Sequence, residues 1–131
     1  MLGLPHRWDI SRWGLSLAVE SENDVGGAAV AVATQGMDML EGRSDLAVLW
    51  DVRIRPDVRR SGIGSALFDH AVSWARGQGL RQLKIETQNV NVTACRFYTS
   101  QGCELGLIHR LGYVGRPHVA HEAMLIWYHD L

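Results

Sequence analysis

The nine residues LAVLWDVRI (Leu46–Ile54) make a long β-branched-rich run that Pro56 halts, and shortly afterwards the spacing becomes helical. Ile63, Leu67, Ala71 and Trp74 recur at helical intervals until Gly77 and Gly79 end the pattern. LRQLKIETQ (Leu80–Gln88) then returns to alternation, with Leu83, Ile85 and Thr87 on one side. Strand, helix, strand in this order implies a right-handed crossover between parallel strands. That unit in the middle of the chain commits it to an α/β arrangement.

The flanks add antiparallel strands. WGLSLAVES (Trp13–Ser21) and GGAAVAVATQG (Gly26–Gly36), joined by the turn-like ENDVGG, predict a hairpin, and GMDMLEGRSD reads as a loop. Downstream, Asn91 is a natural N-cap for a second helix, VTACRFYTSQ, which Gly102 ends. CELGLIHRLGY and EAMLIWYH predict the last two strands. The order is therefore β-β-β-α-β-α-β-β, an α/β chain with an α+β type of mixed sheet. With 131 residues and no internal repeat or low-complexity tract, residues 1–131 are expected to form a single domain with one core. The first twelve residues receive no assignment.

Charge narrows the partners. Thirteen Lys and Arg oppose fourteen Asp and Glu, so the balance points neither to nucleic acid nor to an anionic membrane. No apolar run approaches the roughly 20 residues that span a bilayer. Cys95 and Cys103, without a secretory signal, are expected to be reduced thiols in a cytoplasmic protein, and the sequon at Asn91 is then fortuitous. His118 and His121 are three apart, but their segment reads as loop into strand and no cysteine or acidic cluster completes a set. No metal is expected.

Any anion site must therefore be local, and RRSGIGSAL (Arg59–Leu67) is the candidate. Arg53, Arg55, Arg59 and Arg60 fall close together, only partly offset by Asp51 and Asp57. A plain strand-to-helix turn needs at most one glycine. Two, at Gly62 and Gly64, let a ligand approach the backbone with no Cβ in the way. They precede a helix whose first N–H groups and positive dipole end favour an anion, with the two arginines alongside. A pyrophosphate suits this arrangement. A Walker loop would need Gly-Lys-Ser/Thr, and the lysine is missing. A dinucleotide fingerprint would need a third glycine, although Glu86 lies at about the right distance for its acidic partner.

The same residues resemble the GNAT family of N-acetyltransferases. RRSGIG matches that family's Arg/Gln-x-x-Gly-x-Gly/Ala coenzyme A loop, and ETQNVNVTACRFYTSQG matches its next strand and helix through Asn91, Ala94 and Tyr98. The resemblance covers roughly residues 46–128 and is nearest to the streptothricin-type and ribosomal-protein alanine acetyltransferases. It implies a GNAT-like acyl-CoA N-acyltransferase fold with a shortened N-terminal region. It also implies direct transfer of the acetyl group of acetyl-CoA to a primary amine of a small molecule or protein N-terminus. On that resemblance, the backbone of Val52, Arg53 and Ile54 pairs with pantetheine. Arg59, Arg60, Ser61, Gly62, Ile63, Gly64 and Ser65 hold the pyrophosphate, and Asn91 bonds the pantetheine. Tyr98 protonates the departing thiolate and Glu86 takes the proton of the substrate amine, with Asp51 as a competing base.

The residues alone support this chemistry. An alkylammonium must lose a proton before it attacks, which a nearby carboxylate assists, and a phenol can donate to sulfur as charge develops. Blander readings stand beside these: Tyr98 as a core aromatic, Glu86 as a solvated strand residue paired to Lys84 or Arg96, and Asn91 as a cap only. Trp50, Trp74 and Trp127 are expected in the core. Only about a dozen residues, MLGLPHRWDISR, precede the first strand, so the acceptor-binding lid is expected to be short or absent. Cys103 stands where the family often has an aromatic. An alternative is a non-catalytic acyl-CoA-binding module that has lost its acceptor site. An exposed sheet next to a short N-terminus leaves room for a homodimer.

Overall fold

A computed structural model describes residues 11–131, apart from 21, 35, 60 and 61. Arg60 and Ser61 of the predicted anion loop, and most of the segment expected to form a short lid, lie outside the described residues. The chain divides into two compact units, the first ending at Leu83 but including Leu131, the second Lys84–Asp130.

In the first unit β1 (Gly14–Glu20), β2 (Asn23–Ala31) and β3 (Leu46–Ile54) form an antiparallel meander. The hairpin closes earlier than the sequence suggests. Glu20 pairs with Asn23, and Glu22 takes the left-handed conformation at φ 68°. ENDVGG is therefore mostly strand, and its glycines serve close packing. A Cβ on Gly26 would lie 2.7 Å from the Arg53 carbonyl oxygen. β2 stops at Ala31, short of the expected Gly36. The loop after it includes a 3-10 turn (Asp38–Leu40) that folds Met37 and Leu40 onto Trp13, Ala31 and Val48. Trp13 closes this cluster by donating its indole N–H to Thr34 Oγ1 at 2.8 Å.

Helix α1 (Ile63–Gly77) packs on the meander through Leu67, Phe68, Ala71, Val72 and Ala75. Burying each of its large apolar side chains contributes about 1.5–3 kcal/mol. Trp74 lies over β1 where Gly14 leaves space, since a Cβ there would be 2.6 Å from the indole. The helix ends in a Schellman motif: Gly79 at φ 78° donates to the Arg76 carbonyl, and Leu80 to that of Ala75. The N–H groups of Arg81 and Gln82 then both reach the Asp45 carbonyl.

The second unit contains most of β4 (Gln82–Gln88), α2 (Val92–Ser100), β5 (Glu104–His109) and β6 (Met124–Asp130), with β6 lying between β4 and β5. Leu83, Ile85 and Thr87 are buried, as their alternation predicts. Trp127 is core, donating its indole N–H to Thr87 Oγ1 at 2.9 Å. β5 ends at His109, four residues before the Tyr113 that the sequence places in it. Residues 110–122 instead run through successive turns, closed by backbone hydrogen bonds such as Gly112 N–H to the His109 carbonyl and Arg116 N–H to that of Tyr113. Among the described residues, no helix is long and apolar enough to cross a membrane.

Candidate active site

The candidate anion site lies in the first unit. β3 is buried from Leu46 to Leu49 and opens from Trp50 onward. The change coincides with a register shift, because Val30 faces Leu49 while Ala29 faces Asp51, so Trp50 is an extra residue. Such a bulge bends a strand and re-aims the residues beyond it, here Asp51 to Ile54. Trp50 tilts against Trp13 with ring centroids 5.8 Å apart. β2 pairs with β3 as far as Ile54, which occupies one backbone edge of Val52–Ile54.

The charges beyond the bulge are partly spent. Arg53 Nε meets Asp51 at 3.0 Å, and Arg55 grips both carboxylate oxygens of Asp57 at 2.6 and 2.9 Å. That bidentate pair raises Arg55 and lowers Asp57 from their ordinary values, mainly through the hydrogen bonds. Asp51, expected as a competing base, is thus tied to an arginine. Pro56–Val58 form a 3-10 turn, and Arg59 comes after it in extended conformation with its side chain exposed. Among the described residues, Arg59 makes no ion pair.

Gly62 then begins α1. Its φ of 89° lies in the left-handed region, and it provides no side-chain cap. One glycine is therefore required by the backbone itself, and an ideal Cβ there would face open space. Gly64 and Ser65 sit in the first helical turn beside Ile63, half-buried. A helix start without a side-chain acceptor, next to open space, fits a phosphate group.

The second unit holds the polar candidates Asn91, Tyr98 and Glu86. Asn91 caps α2, its Oδ1 accepting from the Ala94 N–H at 3.2 Å. The cap uses only the carbonyl oxygen, so the side-chain NH2 keeps its donors, and capping and cofactor binding are compatible. α2 also ends in a Schellman motif, with Gly102 at φ 88° donating to the Thr99 carbonyl and Cys103 to that of Tyr98. That motif brings the residue after the glycine over the one three from the helix end. It sets Cys103 beside Tyr98, and both are buried. Burial, with Cys103 adding to it, pushes the Tyr98 phenol up to about 12, and burial pushes the Cys103 thiol up to about 11. Phe97 stands edge-on to Tyr98, centroids 5.2 Å apart.

Glu86 is half-buried on β4, and Tyr113 Oη donates to its Oε2 at 2.7 Å. Sequence reasoning misses this partner, which comes from a loop 27 residues away. Its one local signal is the preceding glycine. Burial and the Glu86 hydrogen bond raise the Tyr113 phenol above its ordinary value, so it remains a donor. Among the described residues, no three His, Cys, Asp or Glu side chains gather as a metal would need.

Comparison with known proteins settles the family. Residues 4–103 match the acetyltransferase (GNAT) family. The chain belongs to it. It is 32% identical over 83 residues to streptothricin acetyltransferase A of Bacillus subtilis, covering 63% of this chain and 47% of that protein. It is also 32% identical over 69 residues to the ribosomal protein bS18 alanine N-acetyltransferase of Escherichia coli, covering 53% of this chain and 47% of that one. The chain spans about half the length of the curated relatives it matches. A Bacillus anthracis protein assigned as a streptothricin acetyltransferase, solved with acetyl coenzyme A, superposes with a TM-score of 0.77 at 25% identity, over 89% of this chain and 61% of that one. These likenesses give the GNAT member the mixed-sheet α/β fold expected of it.

Replacing Gly62 by alanine tests the turn. Holding a Cβ at φ 89° costs roughly 1–2 kcal/mol, so the melting midpoint should fall by about 3–8 °C. An unchanged midpoint would mean that the turn does not need its left-handed residue.

Proposed function

We propose that this chain is an N-acetyltransferase that moves the acetyl group of acetyl-CoA directly onto a primary amine of a small molecule or protein N-terminus. The observation that carries the reading is the uncapped start of α1 at left-handed Gly62, three residues after exposed Arg59 in the sequence, in a chain of the GNAT family. The B. anthracis structure, solved with acetyl coenzyme A, supports the choice of co-substrate.

Val52, Arg53 and Ile54 would offer backbone groups to the pantetheine arm. Arg59 to Ser65 would hold the pyrophosphate by charge and by helix amides, and Asn91 would bond the arm through its NH2. Glu86 would take the ammonium proton, directly or through water, and the free amine would attack the thioester carbonyl carbon as the C–S bond breaks. Asp51 is the second choice, since it would have to leave Arg53 first. Tyr98 acts at the sulfur. A phenol raised to about 12 is a weaker acid than an ordinary thiol near 8.5. Its help is therefore a donated hydrogen bond while charge grows on sulfur, with the amine's second proton lost to solvent as the amide forms and the thiol's proton arriving from solution. Below about pH 11 Tyr98 stays neutral, so its ionisation does not limit the rate near neutrality. Residues 1–131 acting as one domain, in the cytoplasm where free thiols such as Cys95 and Cys103 persist, complete the reading.

Amine-dependent release of coenzyme A thiol tests it. The wild-type chain should turn over at least one primary amine, and Tyr98→Phe should lower kcat on the order of 10²-fold. Both proteins should gain about 2.7 kcal/mol of stability with acetyl-CoA at 100 times its Kd. Cofactor binding without turnover on any primary amine would favour the non-catalytic module. A homodimer belongs to the same proposal, since the outward row Leu15, Leu17 and Val19 on β1 is exposed and apolar. Light scattering should give twice the chain mass, and a monomer at every concentration would refute it.

A further inference from the structure

We infer that Tyr113 is the positioning residue for the Glu86 carboxylate, and that the turn-rich loop 110–122 exists in its present form to deliver it. The inference rests on the reading of Glu86 as the base.

A glutamate on a strand carries three side-chain torsions, and a base must present one oxygen in a fixed direction. Glu86 lies where β4 ceases to be buried on both faces, so packing alone leaves its end free. The Tyr113 hydroxyl supplies the missing restraint, donating to Oε2 at 2.7 Å and leaving Oε1 to face a substrate. The tyrosine is itself fixed. It is 2% exposed, and the Arg116 guanidinium lies 6.0 Å from its ring centroid. Burial and the hydrogen bond to Glu86 outweigh the nearby Arg116 and keep the phenol above its ordinary value, so it stays a donor.

The loop is held at both ends so that the ring arrives at this depth. Gly112 N–H closes a turn onto the His109 carbonyl, and Gly112 presses on Met124 with no room for a Cβ. At the far end Asn89 and Ala123 exchange two hydrogen bonds, each 2.9 Å: the Asn89 N–H donates to the Ala123 carbonyl, and the Ala123 N–H donates to Asn89 Oδ1. The first anchor ties the loop to β5 and β6, and Asn89, directly after β4, ties its far end to the strand that carries Glu86. A loop needed only to join β5 to β6 has no use for a buried tyrosine aimed at a carboxylate.

Steady-state kinetics on Tyr113→Phe, Glu86→Gln, the double variant and Gly112→Ala test the inference. Tyr113→Phe removes one oxygen and keeps the ring, and the melting-point rise with acetyl-CoA checks that the fold and cofactor half are intact. We expect kcat with the amine to fall on the order of tenfold, as loss of a hydrogen bond to a charged group implies, with KM for acetyl-CoA unchanged. Glu86→Gln should cost on the order of 10²-fold. The double variant should be no slower than Glu86→Gln, because Tyr113 acts only through the carboxylate. Gly112→Ala, which displaces the loop from Met124, should reproduce the Tyr113→Phe defect by a second route. Wild-type kcat in Tyr113→Phe beside an impaired Glu86→Gln would overturn the positioning role while leaving the base in place. A double variant slower by the product of the two defects would also overturn it. Full turnover in Glu86→Gln would remove the base reading and this inference together.

Discussion

The cofactor reading proposed for this chain hangs on how α1 begins. A helix offers its first N–H groups to an outside ligand only if its own side chains do not take them and the chain enters from the side. Gly62 meets both conditions, having no side chain to cap with and a left-handed φ of 89°. The arginines that precede it in the sequence divide by task. Arg53 and Arg55 are matched to Asp51 and Asp57, which keeps the stretch from being a diffuse cationic patch, while Arg59 stays exposed.

The polar candidates of the second unit are organised by a similar economy of backbone geometry. One Schellman turn at Gly102 both ends α2 and seats Cys103 against Tyr98, and the resulting burial makes the phenol a durable donor. Asn91 starts the same helix with half of its amide and keeps the other half available. Thus a nine-residue helix carries a candidate binding group at its first cap and a candidate catalytic group in its last turn. Glu86 lies on the strand before it and is oriented from outside by Tyr113.

Much of this is legible in the sequence because it is local. The run Leu46–Ile54, the start of α1 after Gly62, the Asn91 cap and the glycine stops at 79 and 102 each depend on residues within a few positions of one another. The features that escape the sequence are set by distant partners. Gly26 and Gly27 look like a turn, yet they are strand residues whose missing Cβ atoms admit neighbouring backbone. The extra residue at Trp50 emerges only once β2 and β3 are in register. The CELGLIHRLGY segment alternates well enough to pass for one strand, and a turn closed from Gly112 onto His109 cuts it short. Tyr113, beyond that turn, reaches Glu86 through a fold-level contact that no spacing rule contains.

Binding of the coenzyme A pyrophosphate by the Gly62 turn and its arginines is tested most directly by titration calorimetry with coenzyme A and with pantetheine, which lacks the nucleotide and its phosphates. Coenzyme A should bind on the order of 10²-fold more tightly, as a few charge-assisted hydrogen bonds would give, and the gap should narrow with added salt. Equal affinities for the two at low salt would contradict a phosphate-binding turn.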